Sequence, residues 1–125
     1  MLQVEFHPFH HDDALLSYCH EHAIQMVAYG SLRTTLAVRP SAELTLKGIG
    51  ERCNISTVGV VLAWALAKGV AVIPRSTSEV HLTANLAIGL NVQPLSDSDV
   101  QAIDAVQLTE PHNSYGVLLS QTQHW

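Results

Sequence analysis

The sequence predicts an α/β fold in which parallel strands alternate with helices. Three short strand-like runs, Leu2 to Phe6, Ile24 to Tyr29 and Val70 to Ile73, each give way to a proline or glycine. The helical stretches between and after them open on Ser or Asp and carry apolar residues at three- and four-residue spacing. Strands and helices alternating in this way pair in parallel through right-handed crossovers. Functional residues then collect at the C-terminal ends of the strands.

Leu2 to Phe6 alternates and is broken at Pro8, after which Asp12 or Asp13 is placed to cap a helix running to about His22. Ile24 to Tyr29 reads as the second strand and ends at Gly30. Ser31 to Pro40 lacks periodicity and reads as a long loop. Ala42 to Cys53 has Leu46, Ile49 and Cys53 on one side, the pattern of an amphipathic helix. Ser56 caps a strongly apolar helix through Val60, Leu62, Trp64 and Leu66, with Lys68 and Gly69 as the expected cation and glycine at its end. Val70 to Ile73 reads as a strand buried on both faces, stopped by Pro74. A helix opening near Ser78 fades by Gly89, and Ser96-Asp97-Ser98-Asp99 starts a last helix through Ile103 and Val106. Residues 1–109 are read as one partial βα domain and 110–125 as a C-terminal tail.

With 125 residues, 47% hydrophobic and 14% charged, the chain is long enough for one domain with a core. A formal net charge of -5 argues against nucleic acid or an anionic membrane as the main partner. Any phosphate site has to be local. Cys19 and Cys53 form neither a disulfide framework nor a zinc spacing, so reduced thiols are expected. The N-terminus lacks the pattern of a signal peptide and no apolar stretch reaches spanning length, so a cytoplasmic protein is expected.

Val70 to Asn85 is the most informative stretch. A strand ends at Pro74 and is followed by Arg75, then by Ser76, Thr77 and Ser78, which open a helix through Glu79 and His81. Free backbone N–H groups of a first helical turn, a guanidinium and several hydroxyls together suit a phosphate. A plain capped turn with a solvated arginine fits the same local spacing.

Three ordered segments then form a pattern. They are Gln3-Val4-Glu5-Phe6-His7-Pro8, Val27-Ala28-Tyr29-Gly30-Ser31-Leu32, and Ile73-Pro74-Arg75-Ser76 with Asn85 nine residues after Ser76. Together with Trp64-Ala65-Leu66-Ala67-Lys68-Gly69-Val70, they resemble the C-terminal part of an aldo-keto reductase over roughly residues 2 to 107. The resemblance implies a TIM (β/α)8 barrel of which this chain supplies the last three βα units, so an incomplete one. It also implies an oxidoreductase that passes hydride from a nicotinamide cofactor, usually NADPH, to a carbonyl.

By this resemblance Gln3 hydrogen-bonds the nicotinamide carboxamide and Tyr29 stacks on its ring. Gly30, Ser31 and Leu32 open the loop that crosses the pyrophosphate, mostly through backbone contacts. Arg75 faces the 2'-phosphate of NADPH, with Ser76 and Thr77 as donors beside it, and Asn85 hydrogen-bonds the adenine. His81 stands where the family commonly has arginine, and Ala84 where an acid or amide often precedes the asparagine. NADP(H) is therefore expected ahead of NAD(H), with NAD(H) as the competitor.

The family's catalytic aspartate, tyrosine, lysine and histidine belong to the first half of the barrel, and no residue here matches them. Tyr18 falls in a helix, Tyr29 is the stacking residue and Tyr115 lies in the tail, while Lys47 and Lys68 read as helix-surface residues. This polypeptide alone is expected to reduce no carbonyl. Met1 lies immediately before a strand, which fits a truncated form or an internal start. His7, His10, His11, His20 and His22 are read as corner and surface residues and not as a metal site, because His20 and His22 diverge on a helix. Cys19 reads as a packed small hydrophobe and Trp64 as core.

Three βα units cannot close a barrel, so the outer strands are expected to present open edges and a bare inner face. Self-association or a complementing N-terminal half-barrel follows as a partner expectation, beside the nicotinamide dinucleotide. The alternative to a reductase portion is a non-catalytic nucleotide-binding or interaction module derived from one.

Overall fold

The computed structural model describes residues 1–32, 40–91 and 95–109. The order is β1 (Leu2–Glu5), α1 (Asp13–Glu21), β2 (Met26–Tyr29), α2 (Pro40–Cys53), α3 (Thr57–Ala67), β3 (Ala71–Val72), α4 (Glu79–Asn91) and α5 (Asp97–Thr109). The strands form one sheet in the order β1-β2-β3, and both pairs are parallel. Leu2 to Glu5 align with Met26 to Tyr29, and Val27 and Ala28 align with Ala71 and Val72.

Register assigns the two faces of the sheet. Leu2, Val4, Phe6, Met26, Ala28, Val70 and Val72 join the main core with Leu16 and Cys19 of α1, Leu46 and Ile49 of α2, and Ile103 of α5. α3 is the centre of that core. Seven consecutive residues, Gly59 to Ala65, are buried, so this helix has no solvent face along its middle. Phe9, Ala42 and Val106 form a separate small cluster.

The helix starts follow the expected chemistry. Asp12 caps α1 by accepting from the Leu15 N–H at 3.0 Å, and the Ser56 hydroxyl accepts from the Gly59 N–H at 3.1 Å. Ser96 and Asp99 exchange bonds reciprocally: Ser96 Oγ accepts from the Asp99 N–H at 3.2 Å, and the Asp99 carboxylate accepts from the Ser96 N–H at 3.0 Å. The Ser96 hydroxyl also donates to that carboxylate at 2.7 Å, and with Arg52 it holds the Asp99 carboxyl below its ordinary range.

Four expectations are corrected. β3 is shorter than Val70 to Ile73 and is not buried on both faces: only Ala71 and Val72 pair, and Ile73 is 52% exposed. The reason is position, since β2 is its one neighbour among the described strands and nothing extends the ladder past Val72. α4 does not fade by Gly89 but continues to Asn91. The sheet face opposite the core is not uniformly bare, because Glu5 and Val27 are buried while Gln3 is exposed. Lys68 is no plain surface cation: its Nζ donates to both oxygens of Asp104 at 3.0 and 2.9 Å and lies 3.1 Å from Asp13. Most of the expected Ser31 to Pro40 loop, and the tail after Thr109, lie outside the described residues.

Trp64, fully buried, stacks on Phe6 with centroids 4.9 Å apart and donates its indole N–H to Asp104 at 2.8 Å. His11 meets the same indole edge-on at 5.3 Å, with its side chain 4% exposed. Cys19 is buried in the core, as its helical position suggested. No helix among the described residues is long and apolar enough to cross a membrane.

Two measurements follow from these contacts. A Cβ at Gly50 would lie 2.7 Å from the Ile55 carbonyl oxygen, whereas one at Gly48 meets nothing within 4 Å. In urea denaturation Gly50→Ala is expected to lose about 1–3 kcal/mol, and Gly48→Ala to gain about 0.5–1 kcal/mol. Burial lowers the His11 pKa below its ordinary 6.5, against the opposing pull of Asp13 and Asp104. The unfolded chain therefore takes up this proton first. Its contribution to stability is full above pH 6.5, falls as the pH drops below 6.5, and levels off below the folded-state pKa. His11→Gln is expected to flatten that part of a stability-against-pH curve; an unchanged slope would refute the assignment.

Candidate functional site

The strands end where the chain turns outward; one cavity lies past the end of β3 and a second runs along the outer edge of β1. β2 ends at Tyr29, and Gly30 takes a φ of 65°, a left-handed conformation that glycine adopts without strain. After β3 the chain passes Pro74 and Arg75 into a short turn, in which the Ser76 hydroxyl accepts from the Ser78 N–H at 3.1 Å. The Ser78 carbonyl accepts from the Leu82 N–H at 2.9 Å, which begins α4 one residue later. Of the three hydroxyl residues expected to open this helix, Ser78 thus stands at the boundary and Ser76 braces it.

The larger cavity, about 580 Å³, lies between α3, α4 and the end of β3. Five of the residues nominated from sequence line it: Leu32, Arg75, Ser76, His81 and Asn85. They come from three separate parts of the chain. Its walls are Ile55, Val58 and Gly59 on one side and Ala84, Ala87 and Ile88 on the other. Gly59 makes room for this approach, since a Cβ there would sit 2.9 Å from Ile88 Cδ1 and 3.3 Å from Ile55 Cβ. The lining is mostly apolar and includes a guanidinium, a hydroxyl, an imidazole and an amide, a combination that suits an aromatic base attached to an anionic group.

Apart from Ala84, these wall residues are not singled out by the sequence. The signal is present as small and branched residues at three- and four-residue spacing, Ile55 just before α3 with Val58 and Gly59 on it, and Ala84 with Ala87 and Ile88 on α4. It reads as ordinary helix packing until the two helices are seen to face each other.

The second cavity, about 350 Å³, lies along the free edge of β1. Gln3 and Tyr29 both line it, with Glu5, Phe6, His10, His11 and Leu15 among their neighbours. The nominated residues therefore fall into two groups. The turn from Tyr29 to Leu32 joins them, because its first residue lines one cavity and its last lines the other.

Three nominated residues line neither cavity. Gly30 is the hinge of that turn. Ser31 is buried with its hydroxyl directed to the Ala28 carbonyl oxygen at 3.4 Å, so its side chain serves the turn itself. Thr77 is exposed. Among the described residues no group of three or more His, Cys, Asp or Glu side chains is placed to hold a metal ion.

Parallel βα units with ligand-sized cavities at the strand ends define a portion of a β/α-barrel protein. The sequence pattern of the Aldo/keto reductase family matches residues 1–108, and the chain belongs to that family. Glycerol 2-dehydrogenase (NADP(+)) of Hypocrea jecorina is 34% identical over 109 residues, covering 83% of this chain and 33% of that protein. Aldose reductase of Encephalitozoon cuniculi is 29% identical over 107 residues, covering 84% of this chain and 34% of that protein. The chain thus spans about a third of the length of these curated relatives.

Solved structures agree in fold. Aldose reductase from Giardia lamblia superimposes with a TM-score of 0.72 at 29% identity, covering 89% of this chain and 38% of that one. A mutant of the protein Gox0644 in complex with NADPH gives a TM-score of 0.74 at 26% identity, covering 90% of this chain and 40% of that one. The three-stranded sheet is open where those proteins continue, so the fold is that of an incomplete (β/α)8 barrel.

Proposed function

We propose that this chain is the C-terminal portion of an NADP(H)-dependent aldo-keto reductase, carrying part of the cofactor site and none of the catalytic tetrad. The observation that carries this reading is the convergence of Leu32, Arg75, Ser76, His81 and Asn85 on one cavity between apolar helix walls. The adenine takes the slot between α3 and α4, with Asn85 as its polar contact. Arg75 and Ser76 receive the 2'-phosphate, with His81 in the same lining and the exposed Thr77 as a donor beside them. The turn Gly30, Ser31 and Leu32 carries the pyrophosphate through backbone groups, while Gln3 and Tyr29 hold the nicotinamide. The NADP(+) named for the Hypocrea jecorina relative and the NADPH bound to Gox0644 support the choice of cofactor. When bound, that group supplies the hydride. The proton donor and its lysine partner are expected from the part of the barrel that this chain does not carry.

Open edges support the rest of the reading. β1 and β3 each have β2 as their one partner among the described strands. On α4, which packs against α3, Leu82, Leu86 and Leu90 follow at four-residue spacing and are 48%, 63% and 71% exposed. An exposed row of apolar side chains and unpaired strand edges are both surfaces that barrel strands and helices normally cover. A complementing N-terminal half-barrel fits it. The same surface favours the second reading, an interaction module that self-associates and binds nucleotide without catalysis.

Titration by calorimetry separates these outcomes. NADPH is expected to bind more tightly than NADH, and Arg75→Ala to weaken NADPH by about tenfold, toward the NADH value. Binding of neither cofactor at millimolar concentration would sink the proposal. Carbonyl-dependent NADPH oxidation by the chain alone is expected to match that of a Tyr29→Ala, Arg75→Ala control. Activity above that control would show that the tetrad is dispensable, against this assignment. Sedimentation of the chain is expected to show self-association, which Leu86→Glu with Leu90→Glu reduces; a monodisperse monomer with a cooperative melt argues that the exposed face needs no partner.

A further inference from the structure

We propose that His81 makes the preference for NADP(H) over NAD(H) depend on pH, strengthening it in acid by adding a second positive charge to that of Arg75 at the 2'-phosphate. This rests on the cofactor reading above and gives His81 a part of its own, beyond its presence in the lining.

Helix geometry places the imidazole. His81 lies in the first turn of α4, and Ala84, Asn85 and Ile88 follow it at helical spacing, so the four share one face of the helix. All four line the cavity of about 580 Å³. His81 precedes Asn85 by about 6 Å along the helix axis, on the side of the turn that carries Arg75 and Ser76. The face therefore runs from a basic end at the turn, past the amide of Asn85, to the apolar Ile88. With adenine beside Asn85, the basic end is the one that meets the phosphate.

Few charges surround it. α3, the helix that packs against α4, carries no acidic or basic residue from Thr57 to Ala67. Among the described residues lining the cavity, Arg75 is the other charged group and there is no acid. Glu79, two residues before His81 on α4, diverges from it and lies outside the lining. Neither Arg75 nor His81 takes part in a hydrogen bond or ion pair among the described residues, so both are available to an anion. Imidazole is the side chain that changes charge between about pH 5 and 8. Neutral, it offers a phosphate one N–H; protonated, it offers two and a positive charge. A guanidinium keeps its charge throughout. Arg75 thus sets a constant preference for the 2'-phosphate and His81 a variable one, while NAD(H), lacking that phosphate, gains nothing. His81 is exposed, so screening by solvent and salt keeps the gain modest.

The test is calorimetric titration of the whole chain with NADP+ and NAD+ at about pH 6 and about pH 8. The 2'-phosphate itself takes up a proton at about pH 6, a loss common to every variant, so each pH is read against His81→Gln. At about pH 8 the unsubstituted chain and His81→Gln are expected to bind NADP+ within about twofold of each other. At about pH 6 the unsubstituted chain is expected to bind it about threefold to fivefold more tightly than His81→Gln. NAD+ is expected to show no such difference. His81→Arg, with a permanent charge, is expected to exceed His81→Gln for NADP+ at both pH values. If NADP+ binds but the ratio to His81→Gln is the same at both pH values, or NAD+ gains equally, the proposal fails and the cofactor reading stands. If NADP+ does not bind, both fail. Should His81→Gln not fold, the excess of His81→Arg over the unsubstituted chain, expected to shrink in acid, decides alone.

Discussion

Trp64 is the constraint on which the arrangement depends. Its ring is stacked on Phe6 at the end of β1, and its indole N–H is committed to Asp104 on α5. One side chain thus ties the central helix to the first strand and to the last helix. Removing solvent from all sides of α3 requires that every neighbour be placed, and the indole places two of them. Lys68 completes the contact by bridging Asp104 to Asp13, with its ammonium 5.5 Å from the indole ring centroid. Buried polar groups in this region are costly unless paired, so the network selects one docking of α1, α3 and α5 over near alternatives.

Fixing α3 also fixes the larger cavity. Ile55 and Ser56 before α3, with Val58 and Gly59 in its first turn, form one wall, and α4 can reach it because Gly59 has no side chain. The same helix therefore anchors the core through Trp64 and shapes the slot through Gly59. The anchoring meets the sheet only at Phe6, at the end of β1, and the slot is formed by helices and turns. The sheet contributes direction: its strand ends deliver Tyr29 to Leu32 and Arg75 to the places where the cavities open.

Much of this was legible in the sequence where a local rule and a tertiary need coincide. Asp12 and Ser56 announce their helices because capping is a local interaction, and Gly30 ends β2 because its positive φ is a local demand. Arg75, Ser76 and Asn85 could be nominated together because their spacing resembles a family pattern. The extent of β3 was not legible. Val70 to Ile73 has the composition of a buried strand, and only the absence of a described neighbour beyond it leaves Ile73 exposed. The role of Lys68 was likewise hidden, because its partners Asp13 and Asp104 come from distant helices.

The two ends of the candidate cofactor site differ in how much of their support this chain contains. The phosphate and adenine end is enclosed by α3, α4 and the turn after β3, all present and packed on one another. The nicotinamide end lies on an open strand edge, where Gln3 is exposed and β1 has no described neighbour on its outer side. Affinity for the dinucleotide should therefore reside mainly in the adenosine phosphate end, where charge and enclosure coincide. Orientation of the ring is then the property that depends on further strands. In the proposed reading the residues that hold the cofactor and those that move protons lie on different parts of the barrel, so a built binding cavity does not by itself carry the chemistry.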